Sequence, residues 1–318
     1  MNAVRAPWSH ASFLAYFGGI TLLLAMLSFL AVEGQEHGAG AFVGWAVLVF
    51  AILAALAFGQ RRSGRLVTAG LYALSAVAAF VVFLGALFDW LGWLPDIHHT
   101  SAFRGFRFWL LVLELAAVVA AVVAFRIFRF PLLVLAAAGS AWFFVTDLIS
   151  GGGDWSAIVT IAYGLAVLAA ARAVDAGGSR VYGFWLHVVA GLTIGGGLLW
   201  FFHEGDWDWV AIGVAALIYI ALGDRLLRSS WVVIAAYGLL QVTTHFAEKW
   251  ADVAFLAFLP FGFFLFPFAL TSYSEVDEPK HHMWAAPLAY AILGLALIVV
   301  GQVLASRRRG TIPAAELV

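Results

Sequence analysis

The chain contains no cysteine, and this one absence rules out disulfides, thiolate metal sites, cysteine-ligated iron–sulfur clusters and covalent c-type haem. Charge is nearly as scarce. Only 11% of the 318 residues are Asp, Glu, Lys or Arg, and just two of the 17 basic residues are lysines. Polar segments are short, so a soluble domain of any size is not expected. Neither a phosphate-binding loop nor an HExxH helix is present, and the short connections leave no room for a nucleotide site. An ATP-driven pump within this chain and a nucleic-acid partner are both unexpected.

What is present is hydrocarbon: 64% of the residues are hydrophobic, in continuous runs rather than in alternation. Runs of about 18 residues or more are long enough to cross a ~30 Å hydrocarbon layer as helices. Continuity argues against a transmembrane β-barrel. The fold class read from the sequence is therefore an all-α polytopic membrane protein, one transmembrane domain over residues 1–318. Spans are expected near 11–32, 41–59, 66–88, 106–125, 130–149, 155–172, 181–202, 209–223, 230–246 and 284–305. The first run is too long for a signal-peptide core and no cleavage site follows it, so it is read as a retained span. The excess of Arg over Lys, with much Ala, Gly and Val, suggests a GC-rich bacterial source.

Charge orients these spans. The segments holding Arg5, Arg61/Arg62/Arg65, Arg126/Arg129, Arg172/Arg180, Arg225/Arg228 and Arg307–Arg309 carry 13 of the 17 basic residues. The intervening connections hold 13 of the 18 acids. Lys and Arg in short loops mark the cytoplasmic side, which predicts an inner (cytoplasmic) membrane protein with both termini cytoplasmic. The same rule bears on the apolar segment 251–272. Its Pro260, Gly262 and Pro267 interrupt a helical ladder, and a full crossing would put the triple Arg outside. A broken re-entrant or interfacial element is expected there, against the alternative of eleven plain spans.

A repeat is visible as well. Trp45, Trp109, Trp155 and Trp209 precede Arg61, Arg126, Arg172 and Arg225 by 16 or 17 residues, roughly 25 Å of helix. Four hairpins result, near 41–88, 106–149, 155–202 and 209–246. Asp208-Trp209 lies 54 positions after Asp154-Trp155, which aligns Ala157, Ile158 and Ala162 with Ala211, Ile212 and Ala216. The acids at these helix starts read as caps for orphan amides, and the tryptophans as an interfacial belt.

The candidate functional residues are the polar ones at depth. Glu114 falls near the middle of a predicted span, where an ionised carboxylate is expensive. At the equivalent position of the other hairpins stand Phe50, Thr160 and Val214, so no shared structural role requires an acid there. Glu114 is read as a proton or cation relay, or as a neutral acid bridging two helices. His187, some seven residues into its span, is read as its partner in an ion or proton pathway, as a metal or haem ligand, or as a satisfied helix–helix hydrogen-bonder. A second set ends the outward-running spans: Glu33, Asp89, Asp147, His203 and His245, with Glu204 beside His203. If the hairpins sit side by side, these would line an outer vestibule or hold Zn, Mn or Fe. The bland account makes them solvated loop groups on the Arg-poor side.

These observations lead to a proton- or cation-coupled transporter or channel for a small solute. The alternatives are a metal-dependent or redox enzyme with an outer-face site, and a non-catalytic membrane-complex subunit. The expected partners are the lipid bilayer, a small solute or ion, and a homo-oligomeric copy or membrane-complex subunit.

Overall fold

The computed structural model describes residues 39–93, 108–149, 153–202 and 204–251, with five further positions between 292 and 300. Eight helices account for nearly all of them, and no strand occurs among the described residues. In chain order they are α1 (Ala39–Arg62), α2 (Leu66–Trp90), α3 (Phe108–Phe128), α4 (Pro131–Ile149), α5 (Asp154–Ala176), α6 (Arg180–Phe201), α7 (Asp206–Leu226) and α8 (Ser229–Ala251). The first seven are long and apolar enough to cross a membrane, which makes the chain a multi-pass membrane protein. The eighth is interrupted by Gln241, Thr243, Thr244, His245 and Lys249. The eight helices correspond to eight of the ten expected spans. The spans expected at 11–32 and 284–305 and the broken element at 251–272 fall almost wholly outside the described residues.

The chain divides into two compact units, residues 1–200 and 201–318. In the first, consecutive helices pack on one another. Ala46, Val49 and Leu53 of α1 meet Ala76 and Ala79 of α2. A second apolar cluster joins Ala57, Leu71, Ala73, Ala124, Phe130 and Leu133, drawing α1 to α4 together at the Arg-bearing turns. The α4–α5 contact is partly polar. Trp142 Nε1–H donates to Thr160 Oγ1 at 3.1 Å, and Tyr163 O–H donates to the Ala138 carbonyl at 2.6 Å. Packing of α5 on α6 depends on small residues. A Cβ at Gly164 would lie 2.6 Å from Thr193 Oγ1, and one at Gly197 would lie 2.6 Å from Ile161 Cγ1. In the absence of a hydrophobic drive between helices in lipid, such close approach supplies the van der Waals contact that holds them.

The second unit contains the α7–α8 hairpin. Trp231, fully buried, stands edge-on to Tyr219 at 4.8 Å, and Gly223 makes room for it. Each of the four hairpin turns carries one residue in the left-handed region: Gly64, Arg129, Gly178 and Leu227. At Arg129 the chain stops α3, and Pro131 then opens α4, where a missing N–H costs nothing.

The buried positions of α5 and α7 match at an offset different from the one expected. The helices begin at Asp154 and Asp206, 52 positions apart. At that offset buried Thr160, Gly164, Val167 and Ala171 stand opposite buried Ile212, Ala216, Tyr219 and Gly223. The offset of 54 instead sets exposed Ile158 (46%) against buried Ile212 (5%). The burial patterns of the two helices agree at an offset of 52 rather than 54.

Candidate functional site

Glu114 lies six residues into α3, roughly 9 Å along the helix axis, and Asp147 lies two residues before the end of α4. Packing of α3 on α4 makes the two carboxyl groups neighbours. An ionised carboxylate can only accept, so a hydrogen bond between two neighbouring carboxyl groups requires a proton on one of them. Glu114 Oε2 is buried with no hydrogen-bond partner among the described residues. Leaving a buried acceptor unsatisfied costs about 1–3 kcal/mol, more when it is charged. The site is therefore two neighbouring acids on apolar helices, with one buried acceptor that no described residue satisfies.

The same helix α4 presents a different polar face to α5. Trp142 and the Ala138 carbonyl are five and nine residues before Asp147, on roughly the opposite side of the helix. Thr146 satisfies itself on its own helix, donating to the Trp142 and Phe143 carbonyls. Glu114 and Asp147 thus face each other across α3 and α4, while the Trp142–Thr160 and Tyr163–Ala138 bonds join α4 to α5.

His187 has a different partner from the one considered above. It is fully buried on α6, and its Nε2 lies 3.1 Å from Asp175 Oδ2 in the penultimate position of α5. Glu114 and His187 belong to two separate couples, Glu114–Asp147 and His187–Asp175. Helix register decides this: Asp175 and His187 flank the α5–α6 turn, whereas Glu114 lies toward the Arg-poor end of α3.

In the second unit the Arg-poor end of the α7–α8 hairpin forms a compact polar cluster. His245 Nε2 is 3.3 Å from Asp206 Oδ1, and Lys249 Nζ bonds Asp206 Oδ2. The Trp209 indole stacks on His245, with centroids 4.7 Å apart and planes 14° from parallel. Asp208 accepts the Gly205 N–H at 2.9 Å, a cap at the start of α7. Trp207 is the indole left in the open, at 84% exposure. Trp209 is engaged in the hairpin contact.

Asp89, near the end of α2, and Glu204, in the α6–α7 connection, are exposed. Glu33 and His203 lie outside the described residues, so the expected ring of five outer groups is not described as a whole. Asp147 is drawn to Glu114, and His245 to Asp206. Among the described residues, no group of three or more His, Asp or Glu side chains could hold a metal ion.

Asp175, Asp206, Lys249 and Trp209 were not singled out as site residues from the sequence. Two signals for them existed. The tripeptide Gly-Asp-Trp occurs twice, at 153–155 and 205–207, and marks the starts of α5 and α7. His245 and Lys249 stand four apart, on one helical face. No protein-family model matches this chain, and neither the curated proteins nor the solved structures contain a match to it.

Proposed function

We propose that this multi-pass membrane protein is a proton- or cation-coupled transporter or channel for a small solute, with Glu114 and Asp147 as its titrating site. The observation that carries this reading is the carboxyl pair between two apolar helices, one oxygen of which is buried with no partner among the described residues. Ionisable groups inside membrane-spanning helices are costly and mark ion or proton pathways by default. A shared proton keeps the pair's charge low, and an arriving cation would supply the contact that Glu114 Oε2 lacks. Exchange of one for the other is the elementary step of coupling.

Orientation follows from charge. The turns α1–α2, α3–α4, α5–α6 and α7–α8 carry Arg61/Arg62/Arg65, Arg126/Arg129, Arg172/Arg180 and Arg225/Arg228, and we place them in the cytoplasm. The carboxyl pair then lies toward the outer leaflet. The four hairpins are read as one reiterated unit, for which the recurrent Gly-Asp-Trp start and the matching burial of α5 and α7 are the support.

Two experiments test this. Proton flux into proteoliposomes loaded with a pH-sensitive dye, driven by a potassium diffusion potential, should be lost in Glu114→Gln and in Asp147→Asn. Undiminished flux in Glu114→Gln would remove the pair from the mechanism. Because the native chain has no cysteine, single-cysteine labelling of intact cells needs no background removal. An impermeant maleimide should reach Glu204→Cys from outside, and Ser63→Cys and Ser179→Cys only after permeabilisation. The reverse pattern would invert the topology.

A further inference from the structure

Outside the Glu114–Asp147 pair, one buried titratable group is held by a geometry that a structural hydrogen bond alone does not require. His187 is fully enclosed, whereas the Asp175 side chain that it meets at 3.1 Å keeps 20% of its surface exposed. The Asp175 carboxylate thus joins a buried ring to water. The approach is made possible by Gly183, one helical turn before His187 on the same face of α6. A Cβ there would lie 1.9 Å from Asp175 Oδ1 and 2.9 Å from its Cγ. Any other residue at 183 would occupy the space that the carboxylate uses to reach the ring.

The surrounding charges are few. On α5 and α6 they are Asp175 itself, with Arg172 and Arg180 exposed on either side of the turn. From the α3–α4 turn, the Arg129 carbonyl accepts the Tyr182 hydroxyl at 3.0 Å, and the Phe125 ring meets Tyr182 edge-on. Arg126 and Arg129 are themselves exposed. Among these groups, Asp175 is the anionic acceptor at the ring.

We propose that Asp175 and His187 form a proton-exchange couple between the interior of the α5–α6 pair and water at the Arg-bearing turn, with Gly183 as the positioning residue that admits the carboxylate. An imidazolium formed by uptake from the interior passes its Nε2 proton to Asp175 Oδ2. The carboxylic acid releases that proton to water, and the neutral ring and carboxylate are restored. One proton enters and one leaves at each cycle. The couple rests on the proposed transport reading for its purpose, since it supplies the release end of a pathway whose uptake end is Glu114–Asp147.

The test uses the full chain in lipid nanodiscs, with 15N-labelled histidine and 13C-labelled aspartate, the signals being assigned with His187→Gln and Asp175→Asn. As pH is varied, the signals of the His187 ring and the Asp175 carboxyl should change together, with one shared midpoint. Gly183→Ala, with Asp175 intact, should separate the two midpoints. Asp175→Asn, which conserves volume, should slow proton flux in the dye-loaded proteoliposomes by about tenfold or more. A ring and a carboxyl that respond to pH independently, or a carboxyl signal indifferent to His187→Gln, would overturn the couple. So would wild-type flux in Asp175→Asn. The two readings fail separately. Persisting flux in Glu114→Gln counts against the carboxyl pair and leaves the shared midpoint to decide the couple.

Discussion

Gly196 and Gly197 are neighbours on α6, yet adding one methyl group to each should have different consequences. A Cβ at Gly197 would stand 2.6 Å and 3.2 Å from the Cγ1 and Cδ1 of Ile161, and 3.1 Å from the Ala157 carbonyl oxygen. Carbon atoms in good contact are about 3.5–4.0 Å apart, so Ile161 must rotate or α5 and α6 must separate by most of an ångström. Overpacking of this kind costs about 1–3 kcal/mol. A Cβ at Gly196 would meet no atom within 4 Å. Both substitutions gain the same helix-propensity advantage of up to about 1 kcal/mol, which cancels in the comparison. Gly197→Ala should therefore be less stable than Gly196→Ala by about 1–3 kcal/mol.

Reversible unfolding in mixed micelles of rising SDS content, followed by far-UV circular dichroism, measures that gap. Ile161→Ala removes two of the three crowding atoms, so in the double variant the cost of Gly197→Ala should shrink. The Ala157 carbonyl remains, and relief should be partial. Equal stabilities for the two alanine variants, within about 0.5 kcal/mol, would refute the close α5–α6 approach from which the position of Asp175 is also argued.

Four other outcomes are expected. A double-mutant cycle on Trp142→Phe and Thr160→Val should return a coupling of about 0.6–1.7 kcal/mol, the range for hydrogen bonds between membrane helices. Trp231→Ala should cost about 3–5 kcal/mol in the same unfolding assay because the indole is fully buried, whereas Trp207→Ala should barely register. Leu227→Gly should stabilise the α7–α8 hairpin by about 0.5–1 kcal/mol, since Leu227 is exposed and pays for a left-handed conformation that glycine adopts freely. Lys249→Ala should leave the thermal midpoint nearly unchanged, and whatever difference exists should vanish in high salt, because the ion pair to Asp206 is exposed.

The eight described helices were legible from the sequence because their signals are local. A run of apolar residues gives the length, and Arg-bearing segments with Gly64 or Gly178 punctuate two of the turns. Leu227 shows the limit even there: a left-handed leucine closes α7 without a compositional signal. Side-chain pairing is not local. Glu114, Asp147 and His187 could be named as polar groups in apolar surroundings, but their partners depend on the axial register and rotation of packed helices. Hydropathy carries no information on either. The register of α5 on α6 lies instead in where glycine replaces a larger residue, at Gly164, Gly183 and Gly197. The offset of 54 matched letters at 154–155 and 208–209, whereas Gly153-Asp154-Trp155 and Gly205-Asp206-Trp207 match helix starts.

The two couples in the first unit differ in a way that bears on their roles. At Asp175–His187 the imidazole meets a carboxylate, so the charges of the two partners are complementary when the ring is protonated, and the carboxylate has access to water. At Glu114–Asp147 like groups meet, and one oxygen has no partner among the described residues. A hydrocarbon interior penalises the second arrangement far more than the first, because neither acid can neutralise the other without a proton. Substitution of Glu114 by Gln would remove that penalty at almost constant volume. The proposed coupling thus makes opposite demands on stability and transport: Glu114→Gln should unfold at higher SDS content than the wild type while losing proton flux. A Glu retained only to bridge two helices would give the reverse result, with stability lost and flux unaffected.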